Sequence, residues 1–140
     1  MNRTEILDVV SRKLSPFIMM FGCYLIVHGH ISPGGGFQGG VVLASGAMLL
    51  LLGARESLAA RLFPPRAVNL VETGGYVAFL AVGGLGMVLA GAFLANVLPT
   101  APSGGLFDAV TVFVLNVVIG LEVGAGVTLA CAQLVRGTPP

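Results

Sequence analysis

The chain has 140 residues, 56% of them hydrophobic and 9% charged, with 7 Lys+Arg against 6 Asp+Glu. Soluble domains carry roughly a quarter charged residues, so these few charges cannot cover a water-facing surface, and the bilayer is the expected solvent. A net charge of +1 without a basic run offers nothing to a nucleic acid.

The first segment spreads its charges from Arg3 to Lys13, and the apolar run after it lacks a small-residue cleavage site. No cleavable signal peptide is therefore expected. Four membrane-length apolar stretches follow. The first runs from about Leu14 to Val27 and on toward His30. The connection His28-Gly29-His30-Ile31-Ser32-Pro33-Gly34-Gly35-Gly36 cannot hold a regular helix through its proline and glycines. The second stretch runs from about Phe37 to Ala54 and contains Met48-Leu49-Leu50-Leu51-Leu52. Arg55, Glu56, Arg61, Pro64, Pro65 and Arg66 mark the next connection. The third stretch covers about Leu70 to Val97, and the fourth about Ala109 to Val135 after an uncharged, proline-containing loop that reaches Asp108. The runs are continuous rather than alternating, which predicts helices and not strands. The expected fold is a single all-α membrane domain of four transmembrane helices over residues 1–140.

Orientation follows from the cations. Arg3, Arg12 and Lys13 precede the first helix, Arg55, Arg61 and Arg66 join the second to the third, and Arg136 follows the fourth. With four crossings all of these share one side, so the positive-inside rule predicts N-in and C-in. Small residues are dense in helices three and four, and Gly120-Leu121-Glu122-Val123-Gly124 has the GxxxG spacing that lets helix backbones approach closely. That density predicts protein neighbours around these helices. Asn69 and Asn116 are isolated polar groups suited to interhelical hydrogen bonds.

Glu122 is the sharpest candidate for chemistry, lying midway between Ala109 and Val135. A charge at the bilayer centre costs about 3 kcal/mol on insertion scales, so it must face protein or water, be paired, or be protonated. Two readings stay open: a proton or cation relay, or a hydrogen-bonded packing device. Glu72 is expected in the first turn of helix three, where a negative charge complements the helix N-terminus, with ion entry as the alternative. Asp108 has the place of an N-cap. His28 and His30 sit where helix one meets its loop, suited to interfacial hydrogen bonding or to proton exit. Two positions apart, they would point to opposite sides of a helix and are poor joint metal ligands. Cys23 and Cys131 fall in different helices at depths that differ by about 10 Å, too far for a disulfide, and read as small packing residues. No metal-ligand spacing exists, and no cofactor is expected. Pro33-Gly34-Gly35-Gly36-Phe37-Gln38-Gly39-Gly40 lacks the Lys-Ser/Thr ending of a phosphate loop. Its expected use is a tight re-entry, with Gly39 and Gly40 allowing close packing at the start of helix two.

The run His28-Gly29-His30-Ile31-Ser32-Pro33-Gly34-Gly35-Gly36-Phe37-Gln38-Gly39-Gly40 resembles the signature of the B subunit (MrpB/MnhB family) of Mrp-type multisubunit sodium/proton antiporters. The resemblance extends through helix two and more loosely over the whole chain. It implies a non-catalytic subunit in a prokaryotic plasma membrane, working only with large antiporter-like partners. A B-like subunit also occurs in the sodium-translocating part of membrane-bound hydrogenases and sulfur-reducing complexes, and a purely structural scaffold is a further alternative.

Overall fold

A computed structural model describes residues 3–29, 31, 35–53, 61, 63–95 and 110–136. Four helices dominate them: α1 (Arg3–His28), α2 (Gly35–Gly53), α3 (Pro65–Ala90) and α4 (Val110–Arg136). All four are long and apolar enough to cross a membrane, and no strand occurs among the described residues. The chain is an all-α, multi-pass membrane protein.

Three limits differ from the hydropathy reading. α1 begins at Arg3 rather than Leu14, because a polar stretch outside the hydrocarbon is still free to be helical. There Arg12 Nε donates to Asp8 Oδ1 at 2.8 Å, one turn apart on an exposed face. α3 begins at Pro65, a residue whose missing N–H costs nothing at the first helical position. It ends at Ala90 rather than Val97, because Gly91 turns left-handed (φ 73°) and its N–H closes on the Met87 carbonyl at 3.0 Å.

Helices in lipid gain no hydrophobic energy by meeting, so close backbone approach decides their pairing. α1 and α2 run antiparallel along a seam of small residues. Gly39, Gly46 and Gly53, seven residues apart on α2, face Ile26, Met19 and Ser11 of α1 respectively. A Cβ on Gly22 would lie 2.8 Å from Leu43 N and 3.0 Å from Gly39 O, so neither backbone has room for a side chain there. The buried Ser15 hydroxyl donates to the Gly46 carbonyl and fixes the register.

α4 touches the other three helices. It runs parallel to α2, pairing Gly36 with Asn116 and Gly40 with Gly120 and Gly124. The GxxxG of α4 is thus consumed inside the chain, against a second such spacing in Gly36 and Gly40 of α2. α3 packs mainly on α4, and its buried residues are only Gly83 and Gly86. Beyond Gly91 the chain doubles back: the Phe93 ring covers Gly83 and meets Phe79 edge-on, with centroids 6.4 Å apart. Leu94 holds φ 60° in this turn. Among the described residues, Arg12, Lys13, Arg61 and Arg66 all lie at the end of the bundle where α1 and α3 begin.

Candidate functional site on the seam between α3 and α4

The two membrane carboxylates meet on one seam. Glu122 lies against Gly75 of α3, where a Cβ would come within 3.0 Å of Glu122 Cβ and 3.5 Å of its Cα and Cγ. Glu72 lies against Gly126 of α4, whose Cβ would stand 3.1 Å from Glu72 Oε1. Each acid therefore occupies space that the facing helix leaves open by having a glycine. Because the helices are antiparallel, Glu72 to Gly75 on one wall matches Gly126 to Glu122 on the other. The two acids leave opposite walls about 5 Å apart in height, roughly one helical turn.

This corrects the placement of Glu72. It is not in the first turn of its helix: α3 starts seven residues earlier, so Glu72 lies about 10 Å in. The helix dipole, which acts within the first turn, does not account for it. Both acids are partly buried. Among the described residues neither makes an ion pair or a hydrogen bond. Arg66, the cation of α3, is exposed and about 9 Å nearer the helix start.

The seam is asymmetric about this pair. Toward the cation-bearing end, Asn69, Thr128 and Gln133 help to line a cavity of about 100 Å³. Thr128 is buried and its Oγ1 donates to the Gly124 carbonyl at 2.6 Å. On the other side the next turn of α3 presents Phe79, and α4 by its spacing presents Ile119. Polar groups thus approach the acids from one end, and apolar ones close the seam at the other.

The remaining candidates stand elsewhere. His28 ends α1, where its Nδ1 donates to the Tyr24 carbonyl at 3.1 Å and its ring stacks on Tyr24 with centroids 4.2 Å apart. Through the Gly29–Gly35 and Gly36–Asn116 contacts its level is near that of Asn116, about 9 Å in height from Glu122. His30, Pro33, Gly34 and Asp108 lie outside the described residues. The rest of the glycine-rich run is not a loop. Gly35, with φ 61°, opens α2; Gly36, Gly39 and Gly40 are buried on its inner face, and Phe37 and Gln38 are exposed on its outer one. The Gly36 N–H donates to Asn116 Oδ1 at 3.2 Å, so a side chain of α4 caps α2. Cys23 is exposed on α1, not packed within the chain, and both cysteines are free. Among the described residues no three His, Cys, Asp or Glu side chains gather as a metal site.

Gly75, Gly126 and Thr128 are the site residues that reading the sequence missed. A signal existed: aligning α3 and α4 head to tail places each Glu opposite a Gly.

The chain matches, over residues 6–129, the family described as a domain related to the MnhB subunit of Na+/H+ antiporter. It is 34% identical to the Na(+)/H(+) antiporter B subunit of Bacillus subtilis, across 93% of this chain and 91% of that protein. It is 31% identical to an uncharacterized protein of Methanocaldococcus jannaschii across 94% of this chain, which spans only 52% of that protein. The Na(+)/H(+) antiporter B subunit of Alkalihalophilus pseudofirmus is 33% identical over 57% of this chain and 56% of its own length. By the extent of the family match and by these identities, the chain belongs to the MnhB family of Na+/H+ antiporter subunit domains.

Proposed function

We propose that this chain is a non-catalytic membrane subunit of a multisubunit sodium/proton antiporter, and that the α3–α4 seam is its contribution to the ion path. It is a transporter component, not an enzyme. Its partners are the other membrane subunits of such a complex. Its place is the plasma membrane of a prokaryote, with the Arg- and Lys-bearing end in the cytoplasm by the positive-inside rule.

The observation that carries the reading is the Glu72–Glu122 pair, set on one seam inside two membrane-length helices, each acid facing a glycine. Carboxylate oxygens are ligands for a hard cation and acceptors for a proton, the two ions an antiporter exchanges. Exchange of one for the other is the elementary step an antiporter needs. Glu72, with Asn69 and Gln133 toward the cytoplasm, receives the ion, and Glu122 passes it on. His28 belongs to the opposite mouth, about 9 Å in height from Glu122, and groups of a neighbouring subunit complete the path between them.

The test is sodium-dependent proton flux in vesicles carrying the assembled complex, with Glu122→Gln and Glu72→Gln. Flux is expected to fall toward background while the subunits still assemble. Unchanged flux in both variants, with normal assembly, would remove the relay. Loss of assembly together with flux would instead make the seam a scaffold. Co-purification with iron–sulfur or nickel-binding subunits would transfer the same role to a membrane-bound hydrogenase or sulfur reductase.

A further inference from the structure

A second feature lies outside the acidic seam. α2 and α3 are separated by a groove of about 240 Å³, floored by Leu121, Ala125 and Thr128 of α4 and walled by Leu43 of α2 and by Val68 and Val71 of α3. The floor runs from Leu121 to Thr128, so the groove extends about 10 Å along the helix axes. Thr128 turns its hydroxyl back onto the Gly124 carbonyl, so the floor offers no free donor. The occupant must be apolar and extended along the membrane normal. A single hydrocarbon chain can lie along such a groove with its side open to the surrounding lipid.

The groove has a charged mouth. Phe63 and Pro64 line its end, and Arg61 and Arg66 flank them, both exposed. Among the described residues neither arginine makes an ion pair. The start of α3 at Pro65 adds the positive end of its dipole at the same place. An apolar slot along the helix axes, with exposed arginines next in sequence to the residues that line its end, matches one ligand chemistry, an acyl chain carrying an anionic phosphate. We infer that the groove between α2 and α3 is a binding site for an anionic phospholipid, its tail against Leu121 and Ala125 and its phosphate held by Arg61 and Arg66. The groove borders the cavity beside the acids, with which it shares Val68 and Thr128, and the inference holds in either orientation of the chain.

A diazirine amino acid of leucine size in place of Leu121, which is 45% exposed on the groove floor, tests it in the assembled complex in native-membrane nanodiscs. After illumination, mass spectrometry of this chain should show a phosphatidylglycerol or cardiolipin adduct at position 121. Arg61→Gln and Arg66→Gln should each lower that adduct about fivefold, the fold-change equivalent to about 1 kcal/mol for a basic side chain at a membrane surface. Ala67→Trp, which plugs the groove from an exposed position on its wall, should abolish the adduct while the complex stays assembled. An adduct mix that follows bulk lipid composition and ignores both arginines would overturn the inference. So would crosslinking to another subunit, which would make the groove a protein contact.

Discussion

Replacing Gly40 with alanine would drive a methyl group into the backbone of α4. The new Cβ would stand 2.5 Å from Gly120 O and 3.1 Å from both Gly124 N and Val123 Cβ. Ordinary contacts begin at about 3.5 Å, and two of these three atoms belong to a helix backbone that cannot rotate away. α2 and α4 must therefore part by about 1 Å, which opens the 3.2 Å bond from Gly36 N–H to Asn116 Oδ1 beyond hydrogen-bond reach. Overpacking of this kind costs about 1–3 kcal/mol, and an interhelical hydrogen bond in a membrane adds about 0.6 kcal/mol. Alanine returns about 1 kcal/mol of helix propensity, a gain that Gly74→Ala should show without the penalty, since Gly74 has nothing within 4 Å. The difference between the two variants, about 2–4 kcal/mol, isolates the packing. It can be read by detergent-induced unfolding in mixed micelles, using a dye pair on the two free cysteines, Cys23 and Cys131. Equal stability of Gly40→Ala and Gly74→Ala would refute the claim that the α2–α4 approach needs a glycine at position 40.

Other outcomes follow from the same contacts. Asn116→Ala should lose about 0.6 kcal/mol in the same unfolding assay, and Asn116→Asp should lose more, because the kept acceptor does not offset the cost of an added carboxylate within the membrane span. Gly75→Ala should lower stability more than Gly126→Ala. The first crowds the Cβ and Cα of Glu122, whereas the second meets only the movable carboxylate tip of Glu72. In transport assays both should reduce sodium-dependent proton flux, because each displaces one acid of the pair. Gly91→Ala should cost about 1–2 kcal/mol, since its left-handed φ of 73° is strained for any L side chain; unfolding of the variant would measure this.

Much of this was legible in the order of the residues. Hydropathy and charge are additive along a chain, so the bilayer, four helices and one cation-rich end follow from composition and spacing alone. Glu122 stood out for the same reason, since a lone carboxylate in the middle of an apolar run is costly wherever its helix turns. The glycine-rich start of α2 was recognisable as a close-packing device, although the helix takes in Gly35 and Gly36, two residues before the expected start at Phe37. Helix ends were less legible. The polar start of α1 carries no hydropathy signal, and the apolar residues beyond Gly91 hide a stop that depends on one backbone angle.

The tertiary structure alone decided which face meets which. It brought Glu72 onto the seam of Glu122, used the GxxxG of α4 within the chain, and made Asn116 the cap of α2. It also left a groove between α2 and α3 that ends at Phe63 and Pro64. In water an apolar stripe announces the face a helix will bury. In lipid every face of an apolar helix is equally solvated, and partners are chosen by how closely two backbones fit, a property of pairs of helices that no single stretch of sequence contains.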